Sequence, residues 1–114
     1  MAPDCIFCKI AAKEVASDIV YESDQVVAFP DINPQAPVHL LIIPKKHIAN
    51  IGEIGSEDQD LLYQIGEAVK KLAEQYQLED GYRLVTNCGT AAGQTVNHLH
   101  FHLLGGRNLT WPPG

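Results

Sequence analysis

A chain of 114 residues, 46% hydrophobic and 19% charged, suits one globular domain spanning residues 1–114. A net charge of −6 argues against partners that need basic patches, a nucleic-acid polymer or an anionic membrane, but leaves room for a local site that takes one small phosphate. No apolar run approaches a membrane span, Met1-Ala2-Pro3-Asp4 lacks the features of a secretory signal, and three cysteines fit a cytoplasmic chain better than a disulfide scaffold.

Cys8 to Glu14 predicts a short leading helix, broken between Val15 and Asp18. Ile19–Glu22 and Gln25–Phe29 read as two strands around a Ser23-Asp24 turn, a hairpin. The proline-rich stretch from Pro30 to Pro37 can hold no regular element. It leads into His39–Ile43, a near-continuous apolar run that predicts a central strand ended by Pro44. Ser56-Glu57-Asp58-Gln59 has the spacing of a capping box opening one long helix. Leu61, Leu62, Ile65, Ala68, Val69, Leu72 and Ala73 then recur at helical spacing and form an apolar stripe that can pack on a sheet. Gly81 marks the turn that follows. Tyr82–Asn87 reads as a fourth strand, Cys88–Gln94 as a Gly-rich loop and Val96–Leu104 as a fifth strand. Hairpin-like strands with a helix on one side predict the α+β class: a five-stranded antiparallel sheet with one long helix and a short N-terminal helix.

The last predicted strand carries His98-Leu99-His100-Phe101-His102-Leu103-Leu104, which places three of the chain's five histidines on alternate residues. Side chains alternate across a strand, so the three imidazoles share one face while Leu99, Phe101 and Leu103 share the other. Imidazole serves as base, acid, nucleophile or metal ligand near neutrality, and the face reads as reactive or metal-binding. Cys5-Ile6-Phe7-Cys8 sets two thiols one turn apart, which is half of a tetrahedral zinc sphere. His47 and His98 are the available partners; free buried cysteines are the alternative. Cys88 stands alone and reads as a packed loop residue.

These motifs resemble the histidine-triad (HIT) superfamily, and its nucleotide-binding HINT branch in particular. Phe29-Pro30-Asp31-Ile32-Asn33-Pro34-Gln35-Ala36-Pro37, Ile43-Pro44-Lys45-Lys46-His47, Gly93-Gln94-Thr95-Val96-Asn97, the triad, Leu104-Gly105-Gly106-Arg107 and Trp111-Pro112-Pro113-Gly114 follow that branch in order across essentially the whole chain. The resemblance implies a HIT fold and hydrolysis of purine nucleoside 5′-phosphoramidates to a nucleoside monophosphate and an amine, through a nucleotidyl-histidine intermediate. It makes His100 the nucleophile, sets His102 against the phosphoryl oxygens, and places His39 beside the triad. It assigns Asp31 to the ribose hydroxyls, Asn87 to ribose and phosphate, and Gly93 and Gln94 to the phosphate border. Thr95 stands where serine is usual and keeps the hydroxyl that serves the leaving group or phosphate. Asn97 stands where tyrosine is frequent, which alters the pocket wall. Ile32, Phe29, Phe7 and Ile10 are candidate walls for a purine base, and each reads equally well as ordinary core.

The implied partners are a purine nucleotide (AMP, GMP or a phosphoramidate) and a second copy of the chain in a homodimer. Some bacterial HIT proteins resemble the Cys5, Cys8, His47, His98 arrangement, which implies a structural zinc and no catalytic cofactor. Two rivals remain. A zinc hydrolase would use His98, His100 and His102 as ligands, although three histidines so close on one strand can hardly converge on one ion. A nucleotide-binding or scaffold protein would retain the triad with vestigial catalysis.

Overall fold

A computed structural model describes residues 4–114; the leader reading of Met1 to Pro3 lies outside the described residues. Five strands, β1 (Tyr21–Glu22), β2 (Val26–Pro30), β3 (Val38–Pro44), β4 (Tyr82–Val85) and β5 (Phe101–Gly105), form one sheet in the order β1-β2-β3-β5-β4. Every neighbouring pair is antiparallel. A short helix α1 (Ile6–Ala11) and a long helix α2 (Gln59–Gln75) complete the α+β fold, with 3-10 turns at Ile51–Glu53, Ser56–Asp58 and Thr90–Ala92. Among the described residues no helix is long and apolar enough to cross a membrane.

The apolar run on β3 is explained by burial on both faces. On one face Val26, Ala28, Leu40, Ile42, Phe101 and Leu103 pack against Leu61, Ile65, Ala68, Val69 and Leu72 of α2. On the other, Val27, Phe29, Leu41 and Ile43 are covered by Phe7 and Ile10 of α1. Each fully buried leucine, isoleucine or phenylalanine contributes about 1.5–3 kcal/mol, so these two layers dominate the stability of the fold. Leu62, expected in the stripe, is instead 39% exposed, because it falls one residue outside the arc that faces the sheet. Gly105 ends β5 where a Cβ would meet the Leu78 side chain at 2.7 Å, so any larger residue would push Leu78 from its place at that end of the core.

Several element ends differ from the sequence reading for identifiable reasons. α1 begins two residues earlier than expected because Cys5 caps it, its Sγ accepting from the Cys8 N–H at 3.3 Å. The turn before α2 is capped one residue earlier than Ser56. Gly55 N–H donates to Asp58 Oδ2 at 3.0 Å while Asp58 N–H donates to Gly55 O at 3.0 Å. The other carboxylate oxygen of buried Asp58 accepts from Lys46 Nζ at 2.9 Å, and the Gly55 N–H and Lys46 together hold this carboxyl below its ordinary pKa. β4 stops at Val85, and the ladder of β5 begins only at Phe101 rather than Val96. Beyond that point the carbonyls of His98 and His100 accept from side chains, and Leu99 N–H donates to Ile48 O. The segment before β5 is thus tied by side chains and a loop, not by a neighbouring strand.

Candidate functional site

The β3–β5 register sets His39 opposite Leu104 and Leu41 opposite His102, which leaves the two histidines diagonal on the face away from α2. Their rings meet, His39 Nε2 lying 2.9 Å from His102 Nδ1. The proton positions follow from the outer partners. Gln35 N–H donates to His39 Nδ1 at 3.0 Å, so the neutral His39 ring carries its proton on Nε2 and donates to His102 Nδ1. His102 then keeps its own proton on Nε2. Asp31 Oδ2 is 3.4 Å from His39 Nε2, longer than the bond to His102, and its Oδ1 accepts from Asn33 N–H at 2.8 Å. Asp31 therefore shapes the loop after β2 and also borders the histidine pair.

His100 is fixed differently. Its Nδ1 lies 2.7 Å from the His98 carbonyl, which can only accept, so Nδ1 holds the proton and Nε2 presents a lone pair. The ring sits 5.1 Å from His102 and 5.1 Å from Phe7, edge-on in both cases. His100 is 5% exposed, held in a wall of the site rather than lying on an open face as the alternation suggested.

The three histidines of the triad do not act as one group. Phe7 touches both His98 and His100, so they share a side, but His98 faces a separate cluster. Its Nε2–H donates to Pro44 O at 2.9 Å, which frees Nδ1 toward Cys5 Sγ at 3.1 Å and Cys8 Sγ at 3.6 Å. His47 Nδ1 lies 3.2 Å from Cys8 Sγ. The four donor atoms all fall within 4.8 Å of one another. A tetrahedron with Zn–S of about 2.3 Å and Zn–N of about 2.0–2.1 Å has N–S edges of roughly 3.6 Å, so the donors fit such an ion in both kind and spacing. The hydrolase that would take all three triad histidines to one ion has no geometric basis, since His98 and His102 are committed to different partners.

The Gly-rich loop closes on itself. Gly93 N–H donates to Thr90 O at 3.0 Å and Gln94 N–H to Gly89 O at 3.1 Å. The Gln94 side chain accepts from Gly89 N–H and donates to Ala49 O and Val96 O, stapling the loop to the chain after β3. Gly89 and Gly93 have φ of 90° and 93°, a conformation that side chains disfavour, and this is why both are glycine. Thr95 and Asn97 are exposed and, with Cys5, Ile6 and His47, line a cavity of about 370 Å³. Asn87 is half-buried at the start of the loop. Cys88, expected to be packed, is exposed. Phe7, Ile10 and Phe29 are core residues, whereas Ile32 is fully exposed beside Asp31. The signal that sequence reasoning missed is Gln35, whose backbone N–H orients His39; nothing in its side chain announces that role.

Burial pushes the His39 pKa below the ordinary histidine value, with Asp31 pulling the other way. Burial also lowers His102, helped by the neighbouring His100 and His39 rings and opposed by Asp31. The lowered values favour the neutral rings in the fold, so their stabilising contribution is complete above the unfolded histidine pKa of about 6.5 and is lost as pH falls through the lower folded value. Urea denaturation should show stability falling as pH drops below about 6.5, and less steeply in His39→Gln. Identical pH slopes in parent and variant would show that the pair carries no such linkage.

Residues 4–109 match the family described as scavenger mRNA decapping enzyme C-term binding. A HIT-like protein of Synechococcus elongatus is 56% identical over 114 residues, 100% of each chain. A HIT family hydrolase from Legionella pneumophila superposes with a TM-score of 0.94 at 54% identity, covering 97% of this chain and 100% of that one. A histidine triad nucleotide-binding protein from Candida albicans does so with a TM-score of 0.82 at 38% identity, covering 96% of this chain and 83% of that one.

Proposed function

The chain belongs to the histidine-triad superfamily, and from that premise we propose that it is a phosphoramidase of the HINT branch. It hydrolyses purine nucleoside 5′-phosphoramidates to a nucleoside monophosphate and an amine. The observation that carries this reading is the tautomer of His100, whose Nδ1–H is bound to the His98 carbonyl so that the Nε2 lone pair is available to phosphorus.

In the first step Nε2 of His100 attacks phosphorus, a P–N bond to His100 forms, and the P–N bond to the amine breaks. The departing nitrogen takes a proton from solvent, relayed in this reading through the Thr95 hydroxyl, so that the amine leaves neutral. In the second step water attacks the nucleotidyl group and passes its proton back to solvent along the same relay, while the P–N bond breaks and its pair returns to His100. His102 keeps its Nε2–H because His39 fills its Nδ1, so it can donate to phosphoryl oxygens as charge builds there. Asn87 stands at the phosphate border in this reading, Gly93 and Gln94 shape that border through a loop whose own N–H groups are bonded within it, and exposed Ile32 supplies a wall for the base. Incubation with adenosine 5′-phosphoramidate and a search by mass for AMP attached to His100 tests the proposal. AMP binding with no turnover and no adduct would instead favour a nucleotide-binding scaffold.

Asp31 takes the ribose hydroxyls. With Oδ1 bonded to Asn33 N–H, its Oδ2 still borders the site and retains accepting capacity. Asp31→Asn should therefore weaken AMP binding more than binding of a 2′,3′-dideoxy analogue. A calorimetric titration showing equal losses for both would remove Asp31 from the ribose site.

The functional unit in this proposal is a homodimer in which Leu109–Gly114 reaches the partner's nucleotide site. What supports it is an 82%-exposed Trp111 on a proline-stiffened tail, pinned by Arg83 donating to Thr110 O at 2.9 Å. Deleting Trp111–Gly114 should change the relative rates for different leaving amines more than it changes the melting temperature. A monomer by sedimentation at micromolar concentration, or an unchanged leaving-group profile, would count against it.

A further inference from the structure

We infer that the Cys5, Cys8, His47, His98 cluster positions the nucleophile: a divalent metal held there fixes the backbone carbonyl and the aromatic wall that keep His100 in its reactive tautomer. The inference rests on His100 being the nucleophile, as proposed above. A bound metal would supply four ligand bonds in a closed sphere and no open coordination position for water. Everything that reaches His100 is then the work of the protein's own residues.

Two routes lead from the cluster to His100. The first is the peptide unit joining His98 to Leu99. Its carbonyl accepts the His100 Nδ1–H at 2.7 Å, and its N–H, from Leu99, donates to Ile48 O at 2.6 Å. His98 is a member of the cluster, and Ile48 follows His47, another member. The orienting peptide is therefore gripped from both sides by residues adjoining the cluster. The His98 ring is also anchored at Nε2 by Pro44 O at 2.9 Å, so holding Nδ1 as well fixes the ring at both nitrogens. No strand ladder steadies this peptide, because β5 starts only at Phe101. What holds it is the docking of the 47–48 segment on the 98–99 segment, with the two imidazoles 5.0 Å apart at their centroids.

The second route is Phe7. It sits between the two cysteines on α1, with its ring 5.9 Å from His98 and 5.1 Å from His100. α1 is only 6 residues long, too short to persist by helix propensity alone. It stands because Cys5 and Cys8 tie its first turn and because Phe7 and Ile10 bury its inner face. Loss of the ion would leave the two thiols and two imidazoles held only by their contacts with one another, and would loosen both the helix that carries Phe7 and the 47–48 segment.

The decisive measurement is the His100 imidazole itself, in full-length protein labelled with ¹⁵N at histidine. Spectra are compared with zinc bound, after chelation with the thiols kept reduced, and after zinc is returned. With zinc, His100 should show a single Nδ1–H tautomer whose ring proton exchanges slowly. After chelation the tautomers should mix and exchange should quicken, and zinc should restore the first state. Turnover of adenosine phosphoramidate should fall in parallel by roughly 10–100-fold in kcat, with KM little changed. His47→Ala should lose zinc and reproduce the chelated spectrum. Phe7→Leu should retain zinc yet broaden the His100 signals. An unchanged His100 spectrum in zinc-free folded protein, or failure of the chelated chain to take up zinc, would overturn the inference. A zinc-dependent His100 spectrum in a protein that hydrolyses no phosphoramidate would support it and overturn the proposed substrate class instead.

Discussion

His100→Ala is expected to lower phosphoramidate turnover by at least roughly 10³-fold, since removing the nucleophile of another hydrolase cost about 10⁶ in turnover. The loss should fall on kcat, because no neighbouring group can replace the lone pair. His102 lies closest, but its Nδ1 is filled by His39 Nε2–H, and the nitrogen facing outward carries a proton. His39 has Nδ1 occupied by Gln35 N–H and is buried besides. The variant should fold. It leaves a space against Phe7 and His102 and removes one hydrogen bond, so a small drop in melting temperature is expected, without loss of the α2 core. Mass spectrometry should find AMP attached to the parent protein and none on the variant. Turnover within tenfold of the parent would show that phosphorus is not attacked by His100.

The parts of the fold governed by apolar periodicity were the most legible in the sequence. The α2 stripe and the β3 run follow from burying one face of a helix and both faces of a central strand, and each residue there contributes through its own side chain. Boundaries set by unusual partners were less so. Cysteine is seldom a helix cap, so the sequence gives no sign that α1 begins at Ile6, and Gly55 takes a capping place for which Ser56 has the better side chain. In the site, alternation correctly separated the imidazoles from Leu99, Phe101 and Leu103. It could not show that His98 turns to the cysteines while His102 turns to His39, because that depends on which chain segments lie alongside. Gln94 illustrates the same gap. Its sequence position beside the triad implies a phosphate contact, yet its side chain is spent bridging Gly89, Ala49 and Val96. The tautomers of His39 and His100 rest on backbone atoms of Gln35 and His98, which no side-chain pattern encodes.

Purified without chelator, the protein should hold one zinc per chain, and Cys8→Ser should lose it together with much of the thermal stability. Cys8 is 1% exposed and lies within reach of both histidines of the cluster, so no water can replace its thiolate without entering the core. An ion bound only by the folded state stabilises it by mass action, by about 4 kcal/mol at a thousandfold excess over Kd. For a chain of this length each kcal/mol moves Tm by about 4–8 °C, so chelation or Cys8→Ser should lower Tm by at least about 10 °C. Serine in place of cysteine changes little volume, so most of the loss should reflect the ion. Chelating the variant should therefore cause almost no further drop. Residual turnover should survive in both cases, lowered and not abolished, because His100 and His102 are not members of the cluster. Elemental analysis is the direct check. A metal-free protein with the full melting temperature would show that the two thiols and two imidazoles serve as packing alone.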